Sequence, residues 1–243
     1  MYIRERMIRL FANVDKDLAL RAAAGIGVTD VSDDLSYLEE SSAPKPNDKR
    51  GVAEPGDSPS ISIERSPHNS RSAKTRKVAI LLAEGFDNEQ LMAMKKSLKD
   101  AGAQAKIVSK NGGKLKSSDG SEVEVDNTFL TTASVLWDAA YVPGGAQHIE
   151  TLKNQGDAVH WITETFKHCK PIAASGEGVD LLQGADMKGV QLADEQNAAK
   201  PVADKGVVTT RSASNFDGFA QGFIQAIAQH RHWSREKKEM VPA

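Results

Sequence analysis

The segment Lys77–Ala83 (KVAILLA) is apolar at every position after its lysine. A run this short, without polar alternation, suits a strand buried on both faces, and such strands belong to parallel sheets flanked by helices. Ala103–Ser109 (AQAKIVS), Asp138–Gly145 (DAAYVPGG), Lys170–Gly176 (KPIAASG) and Val207–Thr210 (VVTT) read the same way. Segments of helical period lie between them. Leu91, Met94 and Leu98 share one face of a helix over about 88–101, which Gly102 stops. Trp161, Thr165 and Phe166 mark another before Lys170. Phe216, Phe219, Ala220, Phe223, Ile224, Ile227 and Ala228 define the last and strongest. Strands alternating with helices predict an α/β fold, a doubly wound parallel sheet over residues 75–233. Asn111-Gly112-Gly113 reads as a turn, and Asp119-Gly120 as a hairpin turn with no further role.

Upstream, residues 1–40 read as helical. Ile3, Met7, Leu10, Phe11 and Val14 fall on one face, and a second helix is expected from about Asp15 to Ala24. Gly25 and Gly27 are available for its left-handed cap. Two helices this short cannot bury both apolar faces against each other, so a partner surface is expected. Residues 41–74 read as a linker. From Ser41 to Ser60 half the positions are Ser, Pro or Gly, too few apolar groups to offset the chain's conformational entropy. Residues 234–243 form a tail whose EKKEM stretch reads as a solvated charge cluster.

Lys plus Arg number 31 and Asp plus Glu 33, a net charge of −2 that argues against a nucleic-acid partner. A single cysteine, Cys169, excludes an internal disulfide and fits a reducing compartment. With no signal-like N-terminus and no apolar run near the ~20 residues that span a bilayer, a cytoplasmic protein without a membrane partner is expected.

In doubly wound sheets, ligands sit at the C-terminal ends of the strands. Three turns qualify: Glu84–Asn88, Pro143–Gln147 and Ser175–Gly178. The segments AEGFDNEQL, VPGGA and KPIAASGEG, in this order and spacing, resemble the flavodoxin-like class I glutamine amidotransferase-like superfamily, specifically its PfpI-like branch. That resemblance implies an acidic residue at Asp87. It also implies a nucleophilic cysteine on a strained elbow at the position of Gly176, often followed by histidine where Glu177 stands. Glycine has no thiolate to activate, so no catalytic residue is assigned. Asp87, Gly144, Gly145, Gly176 and Glu177 remain as a vestigial crevice.

Each has a plainer reading. Asp87 suits an N-cap with Gln90 as its capping-box partner. Pro143-Gly144-Gly145 could hold an anion on its amides but is better read as a tight turn. His148 reads as a surface residue and Cys169, before its strand, as a structural thiol away from the crevice. His230 and His232 are placed on the last turn of the final helix, two apart and facing different sides, so no metal site is expected. No histidine lies between His168 and His230 to serve the crevice.

Tyr2–Val28 (YIRERMIRLFANVDKDLALRAAAGIGV), the Pro-rich linker and Ala228–Ala243 (AQHRHWSREKKEMVPA) together resemble large-subunit catalases. The resemblance implies the end of a helical domain, a linker and an amidotransferase-like domain without its elbow cysteine. The partners implied are the remainder of the catalase subunit and further copies in the parent tetramer. The family's haem is held by a tyrosine in an Arg-x-x-x-Tyr motif. Position −4 is Asp33 for Tyr37, Trp137 for Tyr141 and off the chain for Tyr2, so no cofactor is assigned to this chain. The function expected is accessory: stability and assembly of an enzyme that removes hydrogen peroxide. The alternatives are a chaperone-like holdase using residues 1–28 and a PfpI-like hydrolase or glyoxalase activity in the crevice.

Overall fold

The computed structural model describes residues 3–34, 72–185, 187–195 and 200–237. The chain forms two compact units, residues 1–66 and 67–243. Most of the expected linker, residues 41–71, lies outside the described residues.

In the first unit, helices α1 (Ile3–Val14) and α2 (Lys16–Ile26) form a hairpin. Asp15 caps α2 by accepting the Leu18 amide at 2.8 Å, and Gly27, left-handed at φ 70°, ends it. The second helix therefore runs two residues beyond the expected end, with Gly25 inside it. Ile8 and Ala12 pack on Ala19 and Ala23, small side chains that let the helices approach closely. Arg9 reaches Asp30 at 2.7 Å and Asn13 donates to the Asp33 carbonyl at 2.9 Å, fastening the segment after α2 back onto α1. The face read from the sequence is the one left over. Ile3 is 78 % and Val14 82 % exposed, Met7 and Leu10 are also exposed, and only Phe11 joins the core in part. Alanines on α2 offer no volume to cover that wider face.

The second unit is built on a seven-stranded sheet. Its strands are β1 (Lys77–Leu81), β2 (Gln104–Ser109), β5 (Asn127–Thr128), β6 (Ala139–Val142), β7 (Ile172–Ser175), β8 (Val202–Asp204) and β9 (Val207–Thr210). Their order is β5-β2-β1-β6-β7-β9-β8, parallel except for β8 at one edge. Helices α3 (Asn88–Asp100) and α7 (Phe216–Ala228) cover one face; α4 (Ala146–Lys153), α5 (Gly156–Lys167) and α6 (Gly178–Gly184) cover the other. Val78 and Ile80 of β1 face the first layer, Ala79 and Leu81 the second, which is why the run is apolar throughout. This is the doubly wound α/β fold predicted. Four elements carry no sequence signal of their own: α4, α6, β5 and β8. They are short, and what forms them is tertiary: α4 and α6 pack on the sheet, while β5 and β8 pair at its edges.

A hairpin of β3 (Lys114–Lys116) and β4 (Glu122–Glu124) stands apart from the sheet. Asp119 in its turn does more than the sequence reading allowed. Its carboxylate accepts the Ser117 hydroxyl, the Ser121 amide at 2.8 Å and the Asn88 side chain at 3.3 Å, tying the hairpin to the start of α3. These bonds hold the carboxyl well below the usual carboxylate range. Among the described residues, no helix is long and apolar enough to cross a membrane.

Candidate functional site

The three turns singled out meet at the C-terminal ends of β1, β6 and β7. Asp87, after β1, caps α3: its Oδ1 accepts the Gln90 amide at 3.0 Å. The reciprocal half of a capping box is missing. The Asp87 amide donates instead to the Gly144 carbonyl at 2.8 Å, tying the first turn to the second. The Gln90 side chain turns across the crevice. Its Nε2 donates to Asp87 Oδ2 at 2.7 Å, while its Oε1 accepts the Gly144 amide at 3.0 Å and the Ser175 hydroxyl. Ser175 also shares a 2.8 Å hydrogen bond with Tyr141, which is wholly buried. Burial pushes the Tyr141 phenol far up, so it stays neutral.

Gly176 occupies the elbow with φ +55°, a left-handed conformation on a strand-to-helix turn. A Cβ built there would meet Gln90 Nε2 and Gly144 Cα at 3.4 Å, ordinary contact distances. The elbow therefore has the room for a side chain, at the strain of a left-handed φ, but lacks the side chain itself. Gly145 is different: at φ +124°, any Cβ would come within 2.4 Å of the Gly85 carbonyl, so only glycine fits. Its amide opens α4 and donates to Glu177 Oε2 at 2.9 Å. The anion position offered by the Pro143-Gly144-Gly145 turn is thus filled by the chain's own carboxylate. The five residues of the expected crevice do come together. Gln90, read from the sequence only as a capping partner, is its central side chain, and its position after Asp87 was the available signal.

The histidines require correction. His148 is fully buried rather than on the surface. As the third residue of α4 it turns inward beneath β1, where Nδ1 accepts the Ala83 amide at 2.9 Å. Burial pushes it down to about 3, outweighing the nearby Pro143 carbonyl that favours the charged form. His230 and His232 do not share a helical turn, because α7 ends at Ala228 and His230 is left-handed at φ 67°. Burial pushes the His232 ring down although the Ala226 carbonyl, 3.2 Å away, favours the charged form, and His230 is pushed down to about 4 by burial and the adjacent Arg231, so neither favours the imidazolium form. No group of three His, Cys, Asp or Glu residues gathers as a metal site among the described residues.

Cys169 lies before β7, at the end of the sheet away from the crevice, and is buried. Burial pushes its thiol up, against the neighbouring Arg235 guanidinium. As for haem, Tyr2 and Tyr37 lie outside the described residues, and Tyr141 is enclosed and hydrogen-bonded. Tyr141 does not fit the role of an axial phenolate.

The family model for the C-terminal domain found in long catalases matches residues 74–237. The chain belongs to that family. It is 33 % identical over 233 residues to Catalase-2 of Bacillus subtilis, covering 96 % of this chain and 29 % of that protein. It is 34 % identical over 244 residues to Catalase HPII of Mycobacterium avium, covering 99 % and 31 %. The chain thus spans under a third of the length of these relatives. Among solved structures, the fold is similar to a two-domain protein with DJ-1/ThiJ/PfpI-like and ferritin-like domains from Anabaena variabilis. The TM-score is 0.59 at 19 % identity, over 70 % of this chain and 52 % of that one. It is also similar to Toxoplasma gondii DJ-1, with a TM-score of 0.56 at 18 % identity over 64 % and 96 %. Identities this low speak to the fold alone. Within this long-catalase domain, the strand order and the glycine elbow sit on a DJ-1/PfpI-like framework.

Proposed function

We propose that this chain serves a long catalase as an accessory domain, adding stability and assembly to a subunit whose peroxide chemistry lies elsewhere. The observation that carries this reading is the crevice. Its elbow bears Gly176, and the polar groups around it are bonded to one another through Gln90 and Glu177. Covalent catalysis from the elbow needs a nucleophilic side chain there, and Gly176 supplies none. A general acid or base would need a proton to reach, yet the Asp87 carboxylate is already engaged by the Gln90 amide and side chain. The apolar face of α1 supports a docking role within the subunit, since exposed Ile3, Met7, Leu10 and Val14 form a stripe that water does not favour.

The test is excision of residues 74–237 from the full-length subunit. Peroxide turnover per haem is expected to persist, while thermal inactivation accelerates and the assembled oligomer is depleted. An unchanged inactivation rate with intact assembly would defeat the proposal. A second reading, a holdase, draws on the same stripe together with exposed Leu18 and Leu20 on α2. It predicts that the chain suppresses aggregation of a heated client protein and that deletion of residues 1–40 removes the effect.

A further inference from the structure

A cavity of about 420 Å³ lies at the end of the sheet opposite the crevice, where α5, the end of α6, the β8–β9 turn and the turn at Trp233–Arg235 approach one another. Its lining is strongly one-sided in charge. Among the described residues, Lys167, Lys188, Lys205, Arg235 and Lys237 contribute five cations and Glu236 one carboxylate. Lys167 is balanced from outside by Glu164 at 3.0 Å. Phe166 and Ala185 supply an apolar wall.

Two of these cations are held in place in ways that packing alone does not require. Lys205 adopts φ +46° at the β8–β9 turn, a left-handed conformation usually left to Gly or Asn in two-residue hairpins. Its ammonium donates to the Gly189 carbonyl at 2.7 Å, a neutral partner. Arg235 is nine-tenths buried, with its guanidinium 4.7 Å above the Phe166 ring. Its Nη2 donates to the Lys170 carbonyl at 2.6 Å, and the Cys169 thiol lies beside the guanidinium. Burial lowers the Arg235 guanidinium to about 10, the direction expected of a cation short of negative charge.

We infer that this cavity binds a small phosphate ester, its phosphate held by the Lys205 and Lys237 ammonium groups and its apolar part against Phe166. Lysines recognise phosphate as mobile point charges, and a wall that is part cationic and part aromatic selects a ligand with both characters. The site is independent of the crevice and of the accessory role, because its residues lie at the other end of β7 and β9.

The test is an NMR titration of the ¹⁵N-labelled 243-residue chain with adenosine monophosphate, inorganic phosphate and adenosine in turn. Saturable shifts at Lys205, Arg235 and Lys237 are expected with the monophosphate, at a Kd of about 1 mM or tighter. Weaker shifts are expected with phosphate, and none with adenosine. Lys205→Glu and, separately, Lys237→Glu at an exposed position should each weaken binding about tenfold. Lys237 is exposed and outside every helix and strand, so Lys237→Glu is expected to keep the fold and reports even if the turn at Lys205 does not tolerate exchange. Rising salt should weaken binding in step. The inference is overturned by the absence of a saturable response to both phosphates, by adenosine binding as well as its monophosphate, or by variants that bind as the parent does.

Discussion

The Glu177 carboxylate accepts the Gly145 amide at 2.9 Å, so the residue after the empty elbow closes the anion position that the elbow would otherwise face. In a working acyl-transfer site, such an amide is kept free for charge that develops during the reaction. Here the ground state already satisfies it.

Restoring the nucleophile should therefore not restore chemistry. Gly176→Cys finds room for its Cβ at 3.4 Å but accepts a left-handed φ, at a cost of about 1–2 kcal/mol. A lowering of the melting midpoint by a few degrees is expected. The new thiol should titrate with a disulfide reagent yet give no ester or amide hydrolysis. Turnover above background would mean that a base is present after all.

Gln90 and Glu177 both bridge the turns, and they should differ in weight. Gln90→Leu strands the Gly144 amide and removes partners from Ser175 and the Asp87 carboxylate, in a half-buried setting. A loss of about 1–3 kcal/mol is expected in chemical denaturation. Glu177→Gln keeps an acceptor for the Gly145 amide in an exposed position and should cost about 0.5 kcal/mol or less. Equal losses would show that the network does not centre on Gln90.

Acid should destabilise the second unit through His148. Its ordinary value is 6.5, and in the fold it is pushed down to about 3. Between these values the unfolded chain binds a proton that the native chain refuses, so stability falls as pH drops from about 6.5 towards 3. For one such group the slope approaches about 1.4 kcal/mol per pH unit. His148→Gln can still accept the Ala83 amide without titrating, so its melting midpoint should vary less between pH 7 and 5 than the parent's. Parallel curves for the two proteins would remove His148 from the acid response.

Charging the free stripe on α1 should separate folding from docking. Leu10→Lys with Val14→Lys changes only exposed positions, while Ile8 and Ala12 keep the hairpin core. Helical circular dichroism should be unchanged. In the full-length subunit, the same pair should reduce yield of the assembled enzyme, measured by size-exclusion chromatography, and an unaffected yield would leave the stripe without a partner.

The parallel sheet was legible because its strands are buried on both faces: the run Val78–Ala83 reports that burial one residue at a time. The last helix was legible because Phe219, Phe223 and Ile227 repeat with its period. The empty elbow was equally plain, since the absence of a thiol at Gly176 is a matter of composition. The sequence also determined that Asp87 would cap α3, a local bond across three residues. What Gln90 does lay beyond it, because Gly144 and Ser175 reach its side chain from 54 and 85 residues away. His148 was misread for the same reason: only the packing of α4 beneath β1 brings the Ala83 amide to its ring. On α1, periodicity revealed an apolar face, but whether Ile3 or Ile8 would be covered depended on the alanines of α2. Sequence alone fixes local bonds and the period of burial; which distant groups meet, and so which polar atoms are satisfied, is decided when the layers pack.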